Sequence, residues 1–186
     1  MIAAMLRAPT VALLLVLLLG LLPRHASAQT AFELSGGYSL ARDPRDEITL
    51  PAGWVAGAAM KLTPTFSVVA DVSGQYRTIA LVNTDARLSV HTLMGGVRAS
   101  GQIGALTEFV QVLAGVVRAS GSAFGSTSTA RSLGIQPGVG LDYPLTHAWA
   151  ARVELDVRLQ GNQPDASNEG YEYRFAAALI YRVRPR

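Results

Sequence analysis

Residues 148–160 of this chain alternate between apolar and mostly charged side chains. The odd positions from Trp149 to Leu159 are apolar, and the even positions include Arg152, Glu154 and Arg158. A period of two predicts a β-strand with one apolar face and one charged face. A strand of a soluble sandwich can show this pattern, so the segment alone leaves open what the apolar face touches.

The same alternation recurs along most of the chain, and the length of the alternating segments indicates whether the apolar faces contact a protein core or lipid. The candidate strands are about 10 to 13 residues long, close to the roughly 9 to 11 residues of a tilted membrane-crossing strand. In hydrocarbon an unpaired backbone amide costs several kcal/mol, so such strands must close on themselves. We therefore predict an all-β fold, an eight-stranded antiparallel up-and-down transmembrane barrel with lipid outside and a polar interior. The candidate strands are 31–41, 53–62, 65–77, 88–100, 106–118, 132–143, 148–160 and 171–183.

The direction of each side chain follows from the phase of the alternation. In the fourth strand we expect Leu88, Val90, Thr92 and Met94 to face outward. In the fifth strand Val110, Val112, Ala114 and Val116 are predicted outward, with Phe109, Gln111, Leu113 and Val117 inside. Aromatic residues lie mostly near strand ends, where interfacial girdles of membrane barrels are found.

The connections alternate in length, as the two ends of an up-and-down barrel do. Segments 62–65, 101–105 and 145–147 are short and predict tight periplasmic turns. Segments 41–51, 78–87, 119–131 and 161–170 are longer and polar, and predict outer loops. Segment 119–131 is rich in Ser, Gly and Thr, so we expect it to be mobile. These loops are the predicted contacts with an envelope or cell-surface partner.

The first 28 residues have the composition of a secretory signal peptide. Arg7 precedes an apolar run over residues 11–22, and Ala26-Ser27-Ala28 forms a cleavage site before Gln29. The run is shorter than the roughly 20 residues of a spanning helix. An uncleaved amphipathic anchor is the alternative. We expect residues 1–28 to be removed and residues 29–186 to form one outer-membrane domain.

Composition excludes several function classes. Of the 16 Lys and Arg residues, Arg7 and Arg24 lie in the leader, so the mature chain carries 14 against 13 Asp and Glu. No mature segment is a basic cluster, so nucleic acid is not an expected partner. Cysteine is absent, which excludes disulfides and thiol catalysis. Zinc-binding HExxH patterns and phosphate-binding glycine loops are also absent, and no cofactor is predicted.

The polar face of the predicted barrel carries acids and bases in matched numbers. The interior of an eight-stranded barrel is just wide enough for side chains to fill it. These groups should therefore pair as a structural network instead of lining an open pore. A catalytic or gating network is the alternative. The predicted interior charges are Glu33, Lys61, Asp71, Asp142, Arg152, Glu154, Asp156, Arg158, Glu172 and Arg174, with Arg77 and Arg182 on the same face.

Two glycine-rich stretches, residues 93–98 and 137–143, resemble the outer-membrane β-barrel superfamily of the OmpA/OmpX type. The resemblance implies an integral protein of the bacterial outer membrane, in contact with its lipid and inserted by the barrel-insertion machinery. Members typically end on an aromatic residue, whereas this chain continues past Tyr181 to Arg186. Either Tyr181 serves as the insertion signal or recognition differs. Pro137 also departs from a regular strand and predicts a bulge or an edge.

Three functions are compatible with this sequence. The first is a structural or interaction protein of the cell envelope without enzymatic activity. The second is a lipid A-modifying enzyme, for which Ser89 and His91 could form a nucleophile–base pair on one strand face, predicted to point inward. The third is a soluble periplasmic barrel that binds a small apolar ligand, which would require the apolar residues inside.

Overall fold

The computed structural model describes residues 32–44, 48–81, 84–123, 126–161 and 170–183. The predicted signal peptide lies outside these residues. The described chain folds into antiparallel strands with short connections, and no helix within it is long and apolar enough to cross a membrane. The strands are β1 (Phe32–Asp43), β2 (Ile48–Leu50), β3 (Ala52–Lys61), β4 (Phe66–Leu81), β5 (Thr84–Ile103), β6 (Leu106–Ala123), β7 (Ser126–Pro144), β8 (Trp149–Gly161) and β9 (Gly170–Val183).

The strands form one closed barrel of eight wall strands, as the sequence predicts. Each strand pairs with its sequence neighbour, and β1 closes the ring by pairing with β9 from Phe32↔Val183 to Arg42↔Tyr173. The three-residue strand β2 and the longer β3 together make the second wall strand, because both pair with β1. Their registers differ by one residue, so Pro51 between them marks a β-bulge. Proline suits this position because it has no N–H to donate to the ladder.

Two of the tight turns share one hydrogen-bonding pattern. In the first, the amides of Leu62 and Thr63 donate to the carbonyl of Phe66 at 2.9 and 3.1 Å, and the Thr63 hydroxyl accepts the Phe66 amide at 2.9 Å. In the second, Leu145 and Thr146 donate to Trp149 at 2.9 and 3.0 Å. The Thr146 hydroxyl accepts the Trp149 amide at 3.0 Å. A Leu-Thr-x-x-aromatic segment therefore builds the same turn twice.

The third tight turn needs a glycine. Ile103 pairs with Leu106, which leaves only Gly104 and Ala105 to reverse the chain. Gly104 adopts a φ of 60°, a conformation that costs a residue with a side chain more than it costs glycine. The predicted short segment 101–105 is therefore mostly strand, and its turn is two residues long.

At the opposite end, two segments predicted as loops are strands. β4 and β5 stay paired to Leu81↔Thr84, and β6 and β7 to Ala123↔Ser126. The predictions of loops at 78–87 and 119–131 are wrong, because the described residues of both segments continue the ladder as long hairpins; in 119–131 the strand residues include Ser, Gly and Thr. Segment 41–51 is also a hairpin, with β2 paired to the end of β1. Most of segment 161–170 lies outside the described residues.

The two barrel faces differ in polarity as the alternation predicts. Outward-facing Leu93, Val97 and Leu133 are 62%, 58% and 70% exposed, whereas the inward-facing Asp156, Arg158 and Arg174 are fully buried. Aromatic side chains frame the apolar belt, with Phe66, Tyr143, Trp149 and Tyr181 near the tight turns. The Trp149 and Tyr181 rings pack at a centroid distance of 5.0 Å. At the hairpin end lie Tyr38, Trp54, Tyr76 and Tyr173.

The predicted orientation of the fourth wall strand, β5, is wrong. Thr92 and Met94 are buried inside, whereas His91, Leu93 and Val97 face outward. Val90 packs against the buried cluster of Ala59, Val69, Met94, Leu113 and Val117, so the upper part of β5 turns its apolar residues inward. The predicted orientation of β6 is correct, since Phe109, Gln111, Leu113 and Val117 are buried.

Pro137 forms neither the bulge nor the edge that its type predicts. It lies in β7, inside the wall, and is paired with Val112 of β6. The pairing of β7 with β8 runs from Leu133↔Gly161 to Ile135↔Leu159 and resumes at Gly138↔Asp156 in the same register. The proline, which lacks an amide donor, therefore interrupts this ladder locally without shifting it.

Candidate functional site: the buried charge network

Arg174 of β9 is the centre of a charge network that crosses the barrel interior. Its Nη1 donates to Asp71 Oδ1 at 2.8 Å, its Nε to Asp156 Oδ2 at 2.8 Å and its Nη2 to Glu154 Oε1 at 2.7 Å. The Arg174 side chain is completely buried. One guanidinium thus joins β9 to β4 and β8. Such buried charges are tolerable only when they are paired and hydrogen-bonded, as they are here.

Gln111 and Arg98 extend this centre to β5 and β6. Gln111 Nε2 donates to Glu154 Oε1 at 2.9 Å and to Asp156 Oδ1 at 3.2 Å. Its Oε1 accepts two hydrogen bonds from Arg98, at 3.0 and 2.7 Å. Arg98 Nη2 also lies 3.7 Å from Glu154 Oε2. A neutral amide therefore relays contacts between a guanidinium and two carboxylates.

A second cluster lies toward the tight turns. Arg152 and Asp142 form a bidentate pair, with Nε–Oδ1 and Nη2–Oδ2 distances of 2.7 and 2.8 Å. Arg182 Nε donates to Glu33 Oε1 at 3.1 Å. The two pairs join because Arg152 Nη2 lies 3.7 Å from Glu33 Oε2 and Arg182 Nη2 lies 3.6 Å from Asp142 Oδ2. This cluster connects β7, β8 and β9 to β1.

Phe109 contacts one arginine from each of these two clusters. The Arg98 and Arg152 guanidiniums lie 4.2 and 4.6 Å from the centre of its ring. This geometry suits cation–π attraction of both guanidiniums to one aromatic ring. Gly140 makes room for the ring, because a Cβ at that position would overlap the Phe109 ring edge.

A third cluster lies toward the hairpin end. Arg158 Nη1 donates to Glu172 Oε1 at 2.9 Å, and Arg158 Nε donates to Gln136 Oε1 at 3.0 Å. These residues come from adjacent strands β7, β8 and β9. The interior is therefore divided, with charge concentrated near β7–β9 and β1, and the apolar cluster around Met94 on the β3–β6 side.

The structure places all the predicted interior charges in these clusters except Lys61 and Arg77. Lys61 is half-buried at the end of β3 and forms none of the ion pairs found among the described residues. Arg77 lies apart and donates to the Thr49 carbonyl at 3.2 Å. Sequence reasoning missed Arg98, whose inward position was hidden by the wrong phase of β5. It also missed Gln136 and the relay role of Gln111.

The network fills the lumen. A cavity of about 20 Å³ remains beside Asp71, Arg98 and Arg152, roughly the space of one water molecule. Within the described chain no group of three or more His, Asp or Glu side chains is placed to hold a metal ion. The arrangement can neutralise and immobilise charge, and it obstructs the axis of the barrel.

The proposed Ser89–His91 pair does not lie in this network. Both residues are on the outward side of β5, so the predicted inward orientation is wrong. His91 Nε2 instead lies 3.0 Å from Tyr76 Oη, and Trp54 Nε1 donates to the same oxygen at 3.2 Å. The tyrosine hydroxyl, and not Ser89, is thus the hydrogen-bond partner of His91.

No protein-family model matches the chain, and no curated protein matches it in sequence. The comparison with solved structures, in contrast, finds barrels of the same build. Neisserial surface protein A has a TM-score of 0.64 at 12% identity, with 84% of this chain and 99% of that chain covered. Ail of Yersinia pestis, solved with the heparin analogue sucrose octasulfate, has a TM-score of 0.63 at 14% identity, with 84% and 100% covered.

A third neighbour is the N-terminal β-barrel domain of OprF from Pseudomonas aeruginosa, with a TM-score of 0.59 at 13% identity. The alignment covers 83% of this chain and 98% of that domain. At these identities the likeness establishes the fold. The chain has the eight-stranded antiparallel up-and-down fold of these outer-membrane barrels, in agreement with the predicted fold class.

Proposed function

We propose that this chain is an integral outer-membrane barrel with a structural or interaction role in the bacterial cell envelope. Its interior is a fixed charge network, and its hairpin end presents the surfaces that meet other envelope components. The observation that carries this proposal is the reversed polarity of the barrel, with apolar side chains exposed outside and ion pairs buried inside.

The outer surface supports the membrane location. Monomeric soluble proteins rarely expose continuous apolar patches larger than a few hundred Å². Here exposed Leu, Val, Ile and aromatic residues occur on every long wall strand, with Leu93, Val112, Ile135 and Leu155 among them. The soluble-carrier alternative requires these side chains inside around an apolar ligand, which is the opposite orientation.

The filled lumen supports a role without transport. Arg174, Arg152 and Arg98 each bridge groups from different strands, so a permeating ion would have to disrupt several buried polar contacts at once. Removing one partner of a buried pair leaves the other uncompensated, at a cost of about 3 to 5 kcal/mol. We therefore infer a closed barrel, not an open diffusion pore.

Fractionation of the full chain tests the location. The protein should sediment with outer membranes, resist extraction by urea and require detergent for solubility. Recovery in the periplasmic fraction as a detergent-free monomer would refute it. The purified barrel in planar bilayers should give no long-lived open-channel current, and a steady conductance in most insertions would refute the closed lumen.

We infer no enzymatic activity, because the lumen carboxylates are committed to guanidiniums and His91 is bound to Tyr76. A lipid A-modifying enzyme is the competing function, since Ser89 and His91 do face the side where lipid would lie. The His91→Ala variant separates the two. We expect an unchanged lipid A mass spectrum in the host, and a changed spectrum would favour the enzyme.

A further inference from the structure

Above the apolar belt, the outward face of β4–β7 becomes polar at a sharp border. His91, Arg118 and Arg131 are cross-strand neighbours in one row, and they face outward. The next row of outward-facing residues toward the tight turns consists of Leu93, Val116 and Leu133. Two residues along a strand span about 7 Å, so guanidiniums follow directly on the apolar belt.

The two arginines of this row stand directly opposite each other. Arg118 of β6 pairs in register with Arg131 of β7, and both side chains are exposed. Like charges directly opposite on a sheet destabilise it. Among the described residues no carboxylate lies within ion-pair distance of Arg118, Arg131 or Arg87, whereas the arginines of the buried charge network are paired. The nearby acid on this face is Asp85, two residues from Arg87 and toward the hairpin tip.

A groove of about 360 Å³ lies beside these arginines, between the β4–β5 and β6–β7 hairpins. Its lining is dominated by hydroxyl groups and contains Arg87. The hydroxyls belong to Tyr76, Thr78, Ser89, Ser120, Ser122 and Thr127. Hydroxyls both donate and accept hydrogen bonds, as recognition of a sugar requires, and Arg87 adds a donor fork for an anionic group. The volume lies within the range of small-ligand sites.

We propose that this outer polar face binds the phosphorylated saccharide headgroup of a glycolipid in the outer leaflet. Phosphate lies against Arg118 and Arg131, and the sugar occupies the hydroxyl-lined groove at Arg87. The position just above the apolar belt favours a membrane lipid over a soluble saccharide, because the acyl chains can then run down past Leu93 and Leu133. The inference rests on the proposed membrane location and goes beyond it by naming a ligand.

Trp54 can report on this site, because its indole bonds Tyr76 Oη, which in turn meets His91. The chain has two tryptophans, so Trp149→Phe leaves Trp54 as the single emitter. The probe is bisphosphorylated lipid A, titrated in detergent micelles while Trp54 fluorescence is recorded. The double variant Arg118→Gln/Arg131→Gln should bind at least tenfold more weakly, as expected for the loss of charge-assisted hydrogen bonds.

The matched control is Arg42→Gln, which removes an exposed outward arginine on β1, away from the groove. Unchanged affinity in the control and loss in the double variant support the site. Equal affinity in all three proteins, or equal loss in control and double variant, overturns it. De-acylated lipid A should bind much more weakly than the intact lipid, and equal binding would overturn the choice of a membrane lipid.

Failure of the proposed membrane location and failure of the glycolipid site give different results. If the wild-type protein does not insert into phosphatidylcholine vesicles at all, the proposed membrane location fails. If it inserts and resists urea extraction but shows no lipid A-dependent Trp54 signal, only the glycolipid site fails. Circular dichroism of the double variant verifies that the barrel is still folded.

Discussion

Arg174 and Asp71 meet across the barrel lumen, with Nη1 and Oδ1 2.8 Å apart, although 103 residues separate them in the chain. Their strands, β9 and β4, are not neighbours in the wall, since β1 and β3 lie between them. The contact therefore braces the barrel across its lumen. A hydrogen-bonded wall alone would not define this distance.

We expect Arg174→Gln to destabilise the barrel by about 3 to 5 kcal/mol, because it leaves three carboxylates buried together. Asp71→Asn should cost less, since Arg174 keeps Glu154 and Asp156. Urea unfolding of the refolded barrel in vesicles measures both. In a double-mutant cycle the effects should not add, because the two groups touch. Simple additivity would contradict the brace.

Gly138 is required by the network. A Cβ there would overlap the carboxylate of Asp156, the partner of Arg174. Gly138→Ala should therefore cost about 1 to 3 kcal/mol through overpacking and a displaced ion pair. Gly161→Ala is the control, because nothing lies within 4 Å of a Cβ at that strand end. Equal unfolding midpoints for the two variants would argue against this packing.

Val153 faces outward within the apolar belt and is 46% exposed. Val153→Arg should impair membrane assembly by about 2 to 4 kcal/mol, the usual cost of arginine on the lipid face near mid-depth. Thr127→Arg, on an exposed outward position of the hairpin, should have little effect. The fraction of protein resisting urea extraction measures the difference. Similar fractions for both variants would mean that the apolar belt does not face lipid.

The repeated turn predicts a matched effect at two sites. Thr63→Val and Thr146→Val should each cost about 1 kcal/mol, because each removes a hydroxyl that accepts two backbone amides. Thr78→Val, in an outer hairpin, serves as the control. Thermal unfolding of the three variants tests this, and a larger loss in the control would count against the turn hydroxyls.

Tyr181 is the terminal aromatic residue of β9 and is 41% exposed on its outward side. If it serves as the insertion signal, Tyr181→Ala should slow assembly in cells while leaving refolding in vitro nearly unchanged. Tyr173→Ala provides a matched control on the same strand, since Tyr173 is 42% exposed. Equal assembly rates for the two variants would indicate that recognition uses another feature.

β8 shows why most of the fold could be predicted. Its outward positions are apolar throughout and its inward positions carry charges in the middle, so a single phase describes the entire strand. The same holds for β9 and most of β4. The charge network follows from that phase, because charges excluded from an apolar exterior and confined to a narrow lumen must pair.

β5 shows where the pattern stops being sufficient. Leu88 and Val90 are apolar at even positions, whereas Leu93 and Val97 are apolar at odd positions. The reason is physical, because β5 crosses the border of the apolar belt near His91. On the hairpin side of this border the outward residues are polar and the inward residues, Leu88 and Val90, are apolar. A single phase extended through this border predicts Met94 outside and leaves Arg98 out of the network, although both side chains are buried. The sequence of the 119–131 hairpin predicts a loop because Ser and Thr lie on both of its faces, so the alternation that marks a strand of the apolar belt is absent.

The closing seam has a consequence for assembly. Glu33 of the first strand and Arg182 of the last are cross-strand partners, and Arg174 reaches Asp71 only once β9 has joined β1. Until that final pairing, several ions near the axis lack their counter-ions. Pairing of β1 with β9 thus completes the ion pairs in the lumen. A partly paired, open sheet is disfavoured by its unpaired buried charges as well as by its open edges.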